Sequence, residues 1–414
     1  MNGKNPQSLQ KSNKIAGDIA DTNVSYENDS YNNFYDFISV IYRILSFVFI
    51  ASFLLYIIIS SFKNASDFSY ENFEYIIRNF ALTLEENKDD SVYSIGYNPD
   101  ANREYALFGN GLAVCGNSGV SIFSATGRLT CSDSFPYKDP KMAASDKFVL
   151  IYDFSDHEYS LFNAFSRVYS EKITEKIRGG AVSDSGYYAL ITSSEQYNTA
   201  VELYDDTFSL INRFNKNDYI IDVDINDRYL MIATASTSDD NSFASDIQVF
   251  DIIGQKELFS VSSADNFPLE CVISSESFIL VGNNYTAYYS PSGSTLGTYD
   301  YSGETPLNFS VNENGTVLLF KNQGFNSDYK AVVLNESGQV NYEQCFTSTV
   351  FDVEVCGEWS YYLTENELLC TNGKDSRSFA VDGISTGDKL LSFEGGKVYI
   401  CTDSSAPLYS VPFK

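Results

Sequence analysis

Val311–Phe320 reads VNENGTVLLF, and the chain writes variants of this stretch repeatedly. Upstream stand Val182–Ile191 (VSDSGYYALI), Asp224–Ala233 (DINDRYLMIA) and Val272–Val281 (VISSESFILV). Downstream stand Val355–Thr364 (VCGEWSYYLT) and Ser392–Cys401 (SFEGGKVYIC). Each joins a half-alternating run to a polar turn and then to a β-rich apolar run, the pattern of a hairpin with one fully buried arm. A second hairpin follows, as in Ser121–Thr130 (SIFSATGRLT), Tyr288–Gly297 (YYSPSGSTLG) and Val332–Tyr342 (VVLNESGQVNY). Gly, Asn and Ser occupy its turns, where tight hairpins need positive φ or side-chain bonding to the backbone.

The first strands of the repeat begin near Glu104, Lys141, Gly179, Ile220, Leu269, Leu307, Val350 and Gly387. That period of about 40 residues is the length of a four-stranded propeller blade. The expected fold is all-β: an eight-bladed β-propeller, with seven blades as the alternative if the first or second unit is miscounted. The last unit, from Gly387, supplies only three strands, while an orphan run, SVYSIGYN (Ser91–Asn98), precedes the first unit. The orphan is expected to complete the final blade and close the ring, which removes the exposed strand edges of an open array.

Ahead of the repeats, the uncharged run ILSFVFIASFLLYIIISSF lies between Arg43 and Lys63. It is long enough to cross a hydrocarbon core of about 30 Å as a helix. A polar leader of more than forty residues and the absence of a small-x-small cleavage site point to an uncleaved signal anchor. Lys4, Lys11, Lys14 and Arg43 on the N-terminal side, against Lys63 and Arg78 beyond, place the N-terminus in the cytoplasm and the large domain outside. The expected organisation is a disordered cytoplasmic tail (1–33), a transmembrane signal-anchor helix (34–63), an amphipathic stalk (64–90) and the propeller (91–414). Phe73, Ile76, Ile77, Phe80 and Leu84 carry the helical spacing of the stalk.

This arrangement of anchor, stalk and blades, in a chain rich in Asn, Tyr, Ile and Ser, resembles an uncharacterised family of membrane-tethered, WD40-like or quinoprotein-like β-propeller proteins from low-GC Gram-positive bacteria. The chain departs from both parent patterns. No Gly-His or Trp-Asp pair marks its blades, and the single Trp359 does not supply the tryptophan docking pattern of quinone-cofactor propellers. The resemblance implies no activity.

The formal charge is −28, with a sequence pI near 4.2. Such a chain lacks the basic footprint that phosphate binding requires, so nucleic acid is not an expected partner. The seven cysteines (115, 131, 271, 345, 356, 370 and 401) form no CxxC pair and lie mostly in apolar strands, where buried thiols are expected, with one disulfide left open. The only histidine, His157, sits in a turn (DFSDHEYSLF) without a matched nucleophile, and no GxSxG elbow, P-loop or GxGxxG is present. DVDINDR (Asp222–Arg228) begins like a calcium loop but has Asp227 where the glycine belongs and Ala233 where the final glutamate belongs. It reads as a strand running into a turn, and no metal or cofactor is expected.

Propeller partners commonly meet the face made by the loops between second and third strands and between blades. Here those loops carry Phe135, Tyr137, Tyr197, Tyr219, Phe243, Phe267 and Phe325. Exposed aromatics among polar residues suit protein or glycan contact, and part of the set is expected to fold back over the blades. The first functional expectation is a non-enzymatic, membrane-anchored extracytoplasmic propeller that binds a protein or cell-envelope ligand. The alternative is an envelope glycan lyase or hydrolase using acidic residues on the propeller face.

Overall fold

A computed structural model describes residues 35–54 and 93–411, apart from 238–242, 276, 313–314, 322–327, 382, 386 and 394–395. The tail, the stalk and Phe325 lie outside the described residues. The chain divides into two units, Met1–Ile77 and Arg78–Lys414. In the first, Tyr35–Leu54 forms a 20-residue helix, long and apolar enough to cross a membrane, with none of its apolar window buried.

The second unit is an eight-bladed β-propeller, each blade a four-stranded antiparallel sheet. The inner strands start at Glu104, Pro140, Ile177, Tyr219, Pro268, Asn308, Val350 and Lys389, within two residues of the starts read from the repeat. Blades are numbered 1 to 8 in that order. Blade 8 takes its fourth strand from the orphan run: Ser94, Ile95 and Gly96 pair with Pro407, Ala406 and Ser405. The Leu408 N–H also donates to the Tyr93 carbonyl at 2.8 Å.

The second hairpin of several blades closes through one turn design. In blades 1, 5 and 6 a Ser or Asn accepts at its carbonyl from a glycine N–H three residues on (Gly127, Gly293 and Gly338) at 2.8–2.9 Å. These glycines have φ of 75°, 80° and 75°, the left-handed conformation that this turn and its bulge require. Blade 3 places Phe208 there instead, at φ 65°, and its ring stacks on Tyr169 of blade 2 with centroids 4.5 Å apart. A contact between blades thus holds a side chain at a backbone angle it would otherwise avoid.

Tyrosine joins the blades. Tyr159, Tyr188, Tyr288, Tyr361, Tyr362 and Tyr399 are among the largest fully buried side chains. A buried tyrosine contributes ring area to the core and needs a partner for its hydroxyl. Tyr159 meets Tyr188 of the next blade (2.9 Å), Tyr288 donates to Thr316 of the next blade (2.7 Å), and Tyr342 donates to the Thr371 carbonyl (2.8 Å). The high tyrosine content is therefore an inter-blade adhesive.

The blades also meet through backbone. A Cβ added at Gly297, on the outer strand of blade 5, would lie 2.0 Å from the Ser337 carbonyl oxygen in the turn of blade 6. Because both sides are backbone, neither can yield without moving a blade. Gly297→Ala is expected to cost roughly 1–3 kcal/mol, the usual range for overpacking, measurable as a lowered urea midpoint. An unchanged midpoint would show that the two blades do not meet there.

Candidate functional site

The loops joining second to third strands and blade to blade gather on one face of the ring, and the structure sorts the aromatics there into two groups. Phe135 and Tyr137 are not surface contacts: they are 6% and 5% exposed. Their rings pack 4.3 Å apart, Phe135 lies 6.4 Å from Phe162, and the Tyr137 hydroxyl meets Ser160 at 3.0 Å. They plug the joint between blades 1 and 2, because the interblade segment folds inward where two neighbouring sheets leave apolar space. Tyr197, Tyr219 and Phe243, by contrast, are 40%, 60% and 54% exposed. Phe267 is half-buried and packs edge-on against Phe243 at 5.4 Å.

These four residues occupy successive loop positions of one sector, running from blade 3 through blade 4 to the start of blade 5. Blade 4 carries long strands, with Tyr229–Thr237, Phe243–Asp251 and Lys256–Ala264 each nine residues. Phe243 therefore sits at the end of an extended hairpin. Hydrogen bonds between loops hold the sector. Thr199, in blade 3, donates to the Asp218 carbonyl at 2.9 Å and accepts from the Ile220 N–H at 3.0 Å. Asn283 accepts from the Phe267 N–H at 2.6 Å, and Asn266 accepts from the N–H groups of Asn284 and Tyr285. An aromatic surface tied down in this way can meet a partner at little cost in loop ordering. Elsewhere on this face, a cleft of ≈ 350 Å³ in blade 1 is lined largely by polar groups, among them Asn98, Asp100, Arg103 and Ser118.

A second constellation lies around the ring axis. Asp222 and Asp224 reach the next blade's inner strand, accepting from the N–H groups of Cys271 (2.8 Å) and Ile273 (2.7 Å). Asp352 does the same with Leu390 (2.7 Å) and also accepts from the Asn308 side chain (2.7 Å). These acids are blade-to-blade fasteners. Glu270 stands at the same place in its strand as Asp222 and Asp352, each following a register shift, but among the described residues no hydrogen bond reaches its carboxyl.

Burial dominates the titration of this group. It pushes Asp222 up to about 6 and Asp224 to about 7 against the pull of their backbone donors. Glu270 rises to about 8 through burial and the charges of Asp222 and Asp224. Glu354 also rises to about 8 through burial, opposed by a Ser310 hydrogen bond and reinforced by Asp352 and Glu270. The pairs recur as DVDI and DVEV, yet in sequence they look like ordinary strand alternation.

His157 lies in the surface turn expected for it, its Nδ1 3.0 Å from the Glu175 carbonyl oxygen. All seven thiols are free; five are buried, while Cys356 is half-buried and Cys345 is exposed, outside the expectation of burial. Among the described residues, no group of three or more His, Cys, Asp or Glu side chains is arranged to hold a metal ion.

Solved structures share the fold. The chain is similar to BamB from Moraxella catarrhalis, with 9% identity and a TM-score of 0.54, over 77% of this chain and 99% of that one. It is similar to the computationally designed Ika8 protein, with 12% identity and a TM-score of 0.58, over 77% and 98%. It is also similar to Sqt1 from Saccharomyces cerevisiae, with 10% identity and a TM-score of 0.55, over 78% and 98%. No curated protein sequence matches the chain. The profile of a family described as "Family of unknown function (DUF5711)" matches residues 87–406, most of the chain, and the chain therefore belongs to that family.

Proposed function

We propose that this chain is a membrane-anchored binding module: a single-pass helix with its N-terminus in the cytoplasm, and an extracytoplasmic propeller that holds a protein through its loop face. The anchor reading is supported by the exposed apolar helix at Tyr35–Leu54 and by the lysines that precede it. One observation carries the binding reading. Tyr197, Tyr219 and Phe243 stand exposed in one sector, where hydrogen bonds tie Thr199 to the Asp218–Ile220 segment and Phe243 rests edge-on against Phe267, itself held by Asn283. Aromatic groups held rigid and open to water are the usual anchors of protein contact surfaces.

The binding test is a photo-crosslinking residue placed at Tyr219 or, on the opposite face, at Ile253, which is 74% exposed. Position 219 is expected to give a protease-sensitive adduct that disappears in Phe243→Ser, while position 253 gives none. Equal labelling at both positions would remove the face assignment, and a protease-resistant adduct would point to glycan instead. Orientation is testable with the exposed free thiol of Cys345 and a membrane-impermeant maleimide. The reagent is expected to label intact cells and to fail on Cys345→Ser. Labelling only after lysis and removal of the wall would place the propeller in the cytoplasm.

A further inference from the structure

We infer that the aromatic sector of blades 3 and 4 receives a basic, extended polypeptide segment, one that carries lysine or arginine beside apolar side chains. The inference rests on the binding reading above and adds the partner's chemistry. Three of the four aromatics of the sector have an acid one or two residues before them in the same loop: Glu195 before Tyr197, Asp218 before Tyr219, and Asp265 before Phe267; Phe243 follows Asn241 and Ser242 instead. Glu195 and Asp265 are exposed and Asp218 is half-exposed. Among the described residues, no salt bridge engages any of the three carboxylates.

The sector's own cations already have partners. Arg213 is held by Glu202 at 2.9 Å and Glu175 at 3.2 Å. The Lys216 ammonium is half-buried, donates to Gln248 and shares its charge among Glu257, Asp218 and Asp246, so it neutralises Asp218 only in part. A partner thus meets aromatic faces interleaved with carboxylates, which attract a cation both by charge and through the ring quadrupole. Other occupants fit less well. A second copy of a chain with formal charge −28 would be repelled, as would a phosphorylated partner, and a neutral glycan would leave the carboxylates without a role.

The test uses the full chain in detergent and a short fluorescent peptide that alternates lysine with leucine and phenylalanine. Its comparison is a peptide with glutamate in place of lysine. The lysine peptide is expected to bind at least about tenfold more tightly than the glutamate peptide and to weaken as salt is raised. Its affinity is expected to fall by at least about tenfold both in Tyr219→Ser/Phe243→Ser and in Glu195→Gln/Asp218→Asn/Asp265→Asn. A control, Glu336→Gln/Glu358→Gln/Asp375→Asn, removes the same formal charge from exposed turns of blades 6 and 7, away from the sector, and is expected to keep the affinity.

If the control loses as much affinity as the sector variant, the attraction is generic and the inference falls. If the glutamate peptide binds equally well but still needs Tyr219 and Phe243, the basic-partner inference falls while the binding face survives. If Tyr219 and Phe243 do not matter to either peptide, both readings fall. A circular-dichroism melt of each variant separates lost contact from lost folding.

Discussion

Ile95→Ala should lower the stability of the propeller by about 2–4 kcal/mol, and Ile95→Asp should lower it further. Ile95 is 3% exposed and belongs to one apolar cluster with Leu112, Val114 and Phe123 of the first blade and Tyr399 and Leu408 of the last, so it sits in the core that joins the two. Its strand is short, only Ser94–Gly96, and Tyr93 adds hydroxyl bonds to the Ala125 carbonyl and to Tyr399, the latter at 2.7 Å. Loss of this strand would leave the Ser405–Ser410 edge unpaired, an invitation to aggregation. Urea unfolding would read the effect, and hydrogen exchange at Ser405–Ser410 would show whether blade 8 opens first. Leu296→Ala, at a site 48% exposed, is the matched control. Equal midpoints for Ile95→Ala and the control would mean that the N-terminal strand does not close the ring.

The second large effect is on pH. Asp222, Asp224, Glu270 and Glu354 titrate at about 6, 7, 8 and 8 in the folded chain, whereas unfolded carboxyls titrate near 4. Through this window the folded chain holds protons that unfolding releases. Stability is therefore greatest below the window and falls as pH rises through it, by about 1.4 kcal/mol per pH unit for each proton retained. Because these acids sense one another's charge, their protons leave as a coupled set rather than as independent steps.

The urea midpoint is accordingly expected to fall between about pH 5 and pH 8. Glu270→Gln and Glu354→Gln should each restore several kcal/mol at the alkaline end, on the order of 4, and almost nothing at the acid end. Glu336→Gln, in an exposed turn of blade 6, should leave the slope unchanged. The same slope in all three variants would show that Glu270 and Glu354 are solvated and ionised in the folded chain.

What the sequence determined by itself was the blade and its number. Strand period, turn glycines and the recurrence of VNENGTVLLF are local properties, and each hairpin announces itself within about ten residues. The orphan strand was legible too, since three strands after Gly387 lack a fourth. The tertiary structure alone decided what lies between blades. Alternation along a strand separates its two faces, but whether a face meets water or the next blade depends on residues about forty positions away. Phe135 and Tyr219 look alike in sequence, yet one fills a joint and the other stands in solvent. Asp222 and Asp224 of DVDI and Asp352 of DVEV look like surface positions, yet they capture N–H groups on the neighbouring blade. Burial and charge proximity are properties of the closed ring, so the acids raised by them and the aromatics left exposed become distinguishable only once eight blades surround one axis.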